Sequence, residues 1–171
     1  WEEKSFTVSF DGNGGTLSST ETKKVTYDEK YGTLPTATRP GYTLAYWSTS
    51  KTGEPQINED STVKITADTV LYAIWEANKY TISFDGNDGT VSSANTIEVT
   101  YDQKYGILPT ATRPGYVLSY WSTSKTGETK ITADSIVKIT DDTTLYAIWR
   151  LNTYTVTFNA NGGSVSPLSM K

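Results

Sequence analysis

A period of 74 residues runs through this chain and constrains its fold more than any other feature. Trp1, Trp75 and Trp149 stand 74 positions apart, and so do Phe10, Phe84 and Phe158. Residues 1–74 and 75–148 align without a gap, with about 52 of the 74 positions identical. Most differences fall on polar or loop positions, such as Glu54-Pro55-Gln56 against Glu128-Thr129-Lys130. Apolar positions change conservatively, Val8 to Ile82, Leu17 to Val91 and Phe6 to Tyr80. Self-similarity of this kind predicts a tandem array. Residues 1–4 read as the end of a preceding copy, 5–75 as a first module and 76–79 as a hinge. A second module follows at 79–149, and 150–171 reads as a further hinge with the truncated first hairpin of a third copy.

A unit of about 70 residues buries only roughly 60% of its unfolded surface, close to the lower limit for independent stability. Folds this small usually need staples. The chain has no Cys, which excludes disulfides, and no His, which removes the commonest transition-metal ligand. The core must therefore come from large side chains, and 12 Tyr, 5 Trp and 4 Phe supply them. The net charge of −4 is shared evenly, with six Lys or Arg against eight Asp or Glu in each of 5–75 and 79–149. No basic run stands out, which argues against a nucleic-acid partner. No apolar run is long enough to span a membrane as a helix.

Within a module, Phe6, Val8 and Phe10 alternate with Thr7 and Ser9, the period of a strand with one buried face. Asp11-Gly12-Asn13-Gly14-Gly15 carries the chemistry of a hairpin tip, where Asn-Gly favours positive φ. A return strand is expected over 22–27 with Val25 and Tyr27 facing inward, then a turn or bulge at 28–32. Two prolines, Pro35 and Pro40, discourage a helix, and Pro40-Gly41 suits the centre of a type II turn. The next strand, Tyr42 to Ser48, places Tyr42, Leu44 and Tyr46 on one face and Thr43, Ala45 and Trp47 on the other. A polar loop (49–54) and a short apolar segment (63–65) precede the last strand. That strand, Thr69 to Trp75, is apolar on both faces, as a central strand is. The residues thus predict a mainly β chain, α+β at most, with roughly four strands per module.

Chemistry-bearing constellations are scarce. Without His or Cys the usual nucleophile–base arrangements cannot be assembled. Asp28-Glu29 is the obvious carboxylate pair, but its twin is Asp102-Gln103, so the pair is not a property of the module. Asp11-x-Asn13-x-Gly15 and Asp85-x-Asn87-x-Gly89 superficially resemble the start of a calcium loop, yet no distal bidentate Glu follows. No metal or cofactor site is expected. Lys30 and Asn13 are nominal partners for an isopeptide crosslink, with nothing in the sequence to bring them together. Tyr46-Trp47 and Tyr120-Trp121 are the residues most open to a binding role. Adjacent strand residues point to opposite faces, so one ring of each pair should pack inward. The other either covers a thin two-sided sheet or stands exposed to stack on a sugar or anchor a partner protein.

Three ordered motifs carry a resemblance: Phe10-Asp11-Gly12-Asn13-Gly14-Gly15, Gly41-Tyr42-Thr43-Leu44 with Trp47, and Leu71-Tyr72-Ala73-Ile74-Trp75. Their twins are 84–89, 115–118 with Trp121, and 145–149. The chain resembles the Listeria–Bacteroides repeat, the family that includes the B-repeat of internalin-type bacterial surface proteins. The resemblance implies tandem small β-grasp-like modules, each a four-stranded mixed sheet with little or no helix, in a protein exposed on the bacterial surface or secreted. It implies no catalytic residues. At the position before the tryptophan, commonly Gly in the family, this chain has Tyr46 and Tyr120. The role implied is a non-enzymatic spacer or stalk in an internalin- or adhesin-like protein, contacting neighbouring repeats of the same chain. The alternative is an adhesive module holding a host cell-surface protein or glycan through Tyr46, Trp47, Tyr120, Trp121 and the adjoining loops.

Overall fold

The computed structural model describes residues 3–20, 22–92, 95–164, 166 and 169–170. Trp1 and Glu2, read above as part of a preceding copy, lie outside the described residues, as do four positions (165, 167, 168 and 171) of the third-copy fragment. Among the described residues there is no helix. The first copy contributes β1 (Ser5–Asp11), β2 (Thr16–Leu17), β3 (Lys23–Thr26), β4 (Ala37–Thr38), β5 (Tyr42–Ser48) and β6 (Thr69–Ala77). The second repeats the set as β7 (Lys79–Asp85), β8 (Thr90–Val91), β9 (Thr96–Thr100), β10 (Ala111–Thr112), β11 (Tyr116–Ser122) and β12 (Thr143–Leu151). β13 (Val156–Thr157) and β14 (Ser169–Met170) follow.

Each copy builds one four-stranded mixed sheet, in the order β3-β1-β6-β5 and, in the second, β9-β7-β12-β11. β1 runs antiparallel to β3 and parallel to β6, and β5 is antiparallel to β6. β6 is therefore central, which accounts for its apolar residues on both faces. The parallel β1–β6 pair is aligned by Asp68, whose carboxylate accepts the Thr7 N–H at 2.7 Å. Asp142 does the same for Thr81 at 2.8 Å.

The mainly β reading and the four-stranded mixed sheet expected from the sequence are what forms. Three details differ. The chain leaving the Asn13 turn does not return directly along β1. It first pairs as β2 with β4, and only then enters β3. Val25 is buried as expected, but Tyr27 is exposed, because the strand ends at Thr26 and the chain turns through Asp28 at φ +67°. The third difference is a bulge. Leu44 pairs with Trp75 and Tyr46 with Ile74, leaving Ala45 as an extra residue that breaks the alternation. Leu44 and Trp47, which strict alternation would separate, consequently reach the same core. Between β6 and β7 only Asn78 lies outside a strand, within the stretch read as a hinge.

The core of the first copy gathers Val8, Val25, Trp47, Leu71 and Ala73 from the sheet with Tyr31, Leu34, Ile57 and Val63 from irregular chain. Without a helix, those irregular segments are what cover the buried face. They are tied down by backbone hydrogen bonds such as Val63 N–H to Glu29 O at 2.8 Å and the reciprocal Trp47–Ile57 pair at 2.9 and 2.7 Å. The second copy buries the twins, Ile82, Val99, Tyr105, Trp121, Ile131, Val137, Leu145 and Ala147. Among its described residues the third-copy fragment has no such cover. Its strand β13 pairs with β14, and Tyr154, Val156 and Phe158 stay exposed.

By its internal contacts the chain divides into two units. One is Trp1–Tyr80 with Thr100–Gln103 and Ile136–Thr140; the other is Thr81–Val99, Lys104–Ser135 and Asp141–Lys171.

Candidate functional site

The glycine-rich turn is a structural device. Gly15 N–H closes on Gly12 O at 2.8 Å, with Asn13 and Gly14 at φ +45° and +90°, a type I′ geometry. Asn87-Asp88 and Asn161-Gly162 repeat the positive φ values. The Asp11 carboxylate accepts the Asn13 N–H at 2.8 Å, and the Asn13 amide donates to Ala73 O at 3.0 Å. The Trp75 indole N–H donates to Gly12 O at 2.9 Å, so the end of the central strand is pinned onto the turn. Trp149 does the same for Gly86 O at 2.9 Å. The oxygens that suggested a calcium loop are thus holding backbone. Among the described residues no three acidic side chains gather as a metal site.

The two aromatic pairs divide their roles. Trp47 and Trp121 are buried, packed edge-on against Phe10 and Phe84 at 5.1 and 4.8 Å. The Trp121 indole N–H donates to Pro109 O at 3.1 Å. Tyr46 and Tyr120 are half-buried. The Tyr120 hydroxyl donates to Gly127 O at 3.0 Å, and a Cβ on Gly53 would lie 3.1 Å from the Tyr46 hydroxyl. These tyrosines brace the polar loop after their own strand. Among the other candidates, Lys30 pairs with Asp60 at 2.7 Å while Asn13 is engaged at the turn. Asp28 pairs with Lys64.

Sequence reasoning missed a cluster built around Tyr42 in the first unit. The Tyr42 hydroxyl donates to Asp102 Oδ2 at 2.5 Å, and Lys138 donates to the other carboxylate oxygen. The Tyr42 ring meets Tyr101 edge-on at 5.4 Å, and the Arg39 guanidinium covers it at 4.0 Å. Gly41, at φ +77°, presses on the Tyr101 ring, where a Cβ would approach to 2.3 Å. Asn78 ties the backbone together, donating its N–H to Gly41 O and accepting from Tyr101 N–H, each at 2.9 Å. One signal was available in the sequence. Asp28/Asp102 and Lys64/Lys138 are the same in both copies, whereas the neighbouring Glu29/Gln103 is not.

The charges in this cluster support one another. Hydrogen bonds from Lys138 and then Tyr42 hold the Asp102 carboxyl below its usual range, against an opposing effect of burial. The Tyr42 hydroxyl is raised, chiefly by its bond to Asp102. A lowered carboxylate contributes stability above about pH 4 that is lost as pH falls through its folded value. A raised tyrosine contributes below about pH 10 and loses it as pH rises through its own. The cluster is therefore expected to hold between those limits. In an NMR titration of side-chain carboxyls, Tyr42→Phe should move the Asp102 midpoint upward while leaving that of Asp60 in place. An unmoved Asp102 would remove the hydrogen bond from consideration.

Beside Tyr42, a surface depression of about 700 Å³ is lined by Ala37, Arg39, Pro40 and Leu44 among others. Its twin of about 640 Å³ lies along Ala111, Arg113, Pro114 and Leu118. Neither contains a nucleophile with a base or a paired carboxylate. No helix of the described residues is long and apolar enough to cross a membrane, which leaves β-barrel spans unaddressed.

Among known proteins, residues 6–74 and 80–148 match the family model described as the Listeria-Bacteroides repeat domain. The chain is 30% identical over 170 residues to a "Putative Gly-rich membrane protein" of Evansella cellulosilytica, covering 96% of this chain and 18% of that one. A "Putative membrane protein" of the same organism is 29% identical over 168 residues, with coverage of 96% and 24%. "Internalin H" of Listeria monocytogenes is 36% identical over 97 residues, 56% of this chain and 17% of that protein. The chain thus spans less than a quarter of each of these relatives. No solved structure matches it at a significant level.

Proposed function

The chain belongs to the Listeria-Bacteroides repeat family, and on that footing we propose that it is a non-enzymatic spacer or stalk segment of a bacterial surface or secreted protein. The observation that supports this reading most is where its distinctive residues go. Trp47, Trp75, the Asn13 turn and the Tyr120 hydroxyl are all engaged in holding their own module. Two near-identical copies, taken as 5–75 and 79–149, repeat that arrangement without adding a chemistry-bearing group. Its likeness over part of its length to an internalin supports placement outside the cell.

A spacer keeps its copies apart, and each module would have a radius of gyration of about 11 Å by compaction scaling. Small-angle scattering of the two-copy chain should give the profile of an elongated pair of beads. A single compact globule would count against the spacer. The adhesive alternative is separable on a glycan and receptor array. A spacer leaves the array blank, whereas an adhesive module gives a hit that Tyr46→Ala together with Tyr120→Ala abolishes.

A further inference from the structure

Positions 14 and 88 are twins in the two copies, and one carries Gly where the other carries Asp. Beside each lies an arginine, Arg39 in the first copy and Arg113 in the second, and the two are set alike. Each guanidinium covers the tyrosine that opens the following strand, Arg39 at 4.0 Å from the Tyr42 ring and Arg113 at 4.2 Å from that of Tyr116. Each also lines a mainly apolar groove, about 700 Å³ along Ala37, Pro40 and Leu44 and about 640 Å³ along Ala111, Pro114 and Leu118. Stacking on a ring leaves the edge of a guanidinium, with its N–H donors, free to meet a carboxylate.

In the second copy that edge is occupied. The Asp88 carboxylate lies 3.4 Å from the Arg113 guanidinium, so the chain itself shows a peptide carboxylate in place. In the first copy the position is open. Gly14 has no side chain, and a Cβ there would stand 3.7 Å from the Arg39 guanidinium carbon. Among the described residues the Arg39 guanidinium makes no hydrogen bond or ion pair. Asp102, whose charge it feels, is already bonded to Tyr42 and Lys138. The turn does not distinguish the copies, since Gly14 and Asp88 both take positive φ, +90° and +69°. Nor do the ends of the chain. The Arg39 groove belongs to a copy that a whole copy follows, the Arg113 groove to one that a whole copy precedes, and both are open.

We propose that Arg39 and the groove beside it hold a short acidic peptide of a partner protein. An Asp or Glu carboxylate of that peptide accepts from the guanidinium edge beside Gly14, as Asp88 does in the second copy. An adjoining apolar residue of the peptide covers Ala37, Pro40 and Leu44. A sugar acid would satisfy the arginine equally, but it brings hydroxyls to a mainly apolar lining that does not replace their lost hydration. The second copy is closed to such a peptide by its own Asp88, so two copies alike in fold differ in binding. One exposed charge pair with a small apolar contact makes a weak complex, with Kd on the order of 1 mM. The inference does not rest on the spacer reading, and its surface is separate from Tyr46 and Tyr120.

The test follows the side-chain Nε–H signals of the three arginines, Arg39, Arg113 and Arg150, by NMR during titration with acetyl-Gly-Asp-Leu-Gly-amide. Arg39 is expected to shift with a midpoint of about 1 mM, and Arg113 only at several-fold higher concentration. Gly14→Asp should raise the Arg39 midpoint several-fold, and Asp88→Gly should lower that of Arg113 to the value of Arg39 in the parent chain. Each substitution installs the residue that the other copy already carries, and the backbone amide spectrum reports that the fold is kept. The peptide with Asn in place of Asp should leave both arginines unmoved, and glucuronate should shift Arg39 more weakly than the acidic peptide. No response at Arg39 overturns the proposal. So does an Arg39 midpoint that ignores Gly14→Asp, an Arg113 midpoint that ignores Asp88→Gly, or an equal response to the Asn peptide. Glucuronate binding as tightly as the peptide also overturns it, because the acid alone is then recognised and the groove adds nothing.

Discussion

Trp47→Ala is expected to unfold the first copy of the repeat at temperatures where the rest of the chain is still native. The indole is 3% exposed, meets Phe10 edge-on, and sits on the strand that β6 and the Ile57 segment both pair with. Truncating a buried Trp costs about 3–5 kcal/mol. A unit of about 70 residues has a total stability of roughly 4–10 kcal/mol, so the loss is a large share of what is available. Each kcal/mol lowers the melting temperature by about 4–8 °C in a domain this small. Calorimetry should therefore show part of the unfolding enthalpy moving to much lower temperature, with Trp121→Ala behaving likewise in the second copy. Trp47→Phe keeps an aromatic edge in the site and should lose much less. A melting profile that Trp47→Ala leaves unchanged would mean that the aromatic interior is not what supports the module.

Gly15→Ala is expected to have the next largest cost, although only one methyl group is added. Its Cβ would lie 2.3 Å from the Trp75 ring and 2.8 Å from Thr38 O. Neither neighbour gives way easily. The indole is held by its bond to Gly12 O, and Thr38 is paired across to Thr16. Overpacking of this kind costs typically ~1–3 kcal/mol. The adjacent Gly14 supplies the control, because its twin is Asp88, a non-glycine residue already at φ +69°. Gly14→Asp should thus melt close to the parent, and Gly15→Ala well below it. Equal effects at the two positions would place the cost in turn flexibility rather than in the contact with Trp75.

Much of the fold was legible locally. The alternation of Phe6, Val8 and Phe10 announced a one-sided strand. Asn13-Gly14 announced a tight turn with positive φ, and Pro40-Gly41 a type II turn, because each depends on the φ preferences of two or three adjacent residues. What could not be read depended on partners far along the chain. Ala45 carries no mark of a bulge; it falls on a strand that pairs with β6 and, at Trp47, also with the Ile57 segment. Tyr31 and Ile57 lie in stretches with no strand period, yet both are core residues. Tyr46 and Tyr120 were conspicuous as candidates, but nothing local revealed that the Tyr120 hydroxyl would turn back to its own loop. The Tyr42–Asp102 pair, 60 residues apart, left only the faint trace of a carboxylate and a lysine kept in both copies.

By itself the sequence determined the period, the absence of disulfide and His chemistry, the four strands of each main sheet and the sharpest turns. All of these follow from composition or from preferences that act within a few residues. Only the tertiary structure decided which aromatic rings are core and which brace loops, and that Tyr42 would meet Asp102 and Lys138. Those outcomes are set by long-range burial and hydrogen bonding, where a side chain's role depends on the surface brought against it rather than on its neighbours in the chain.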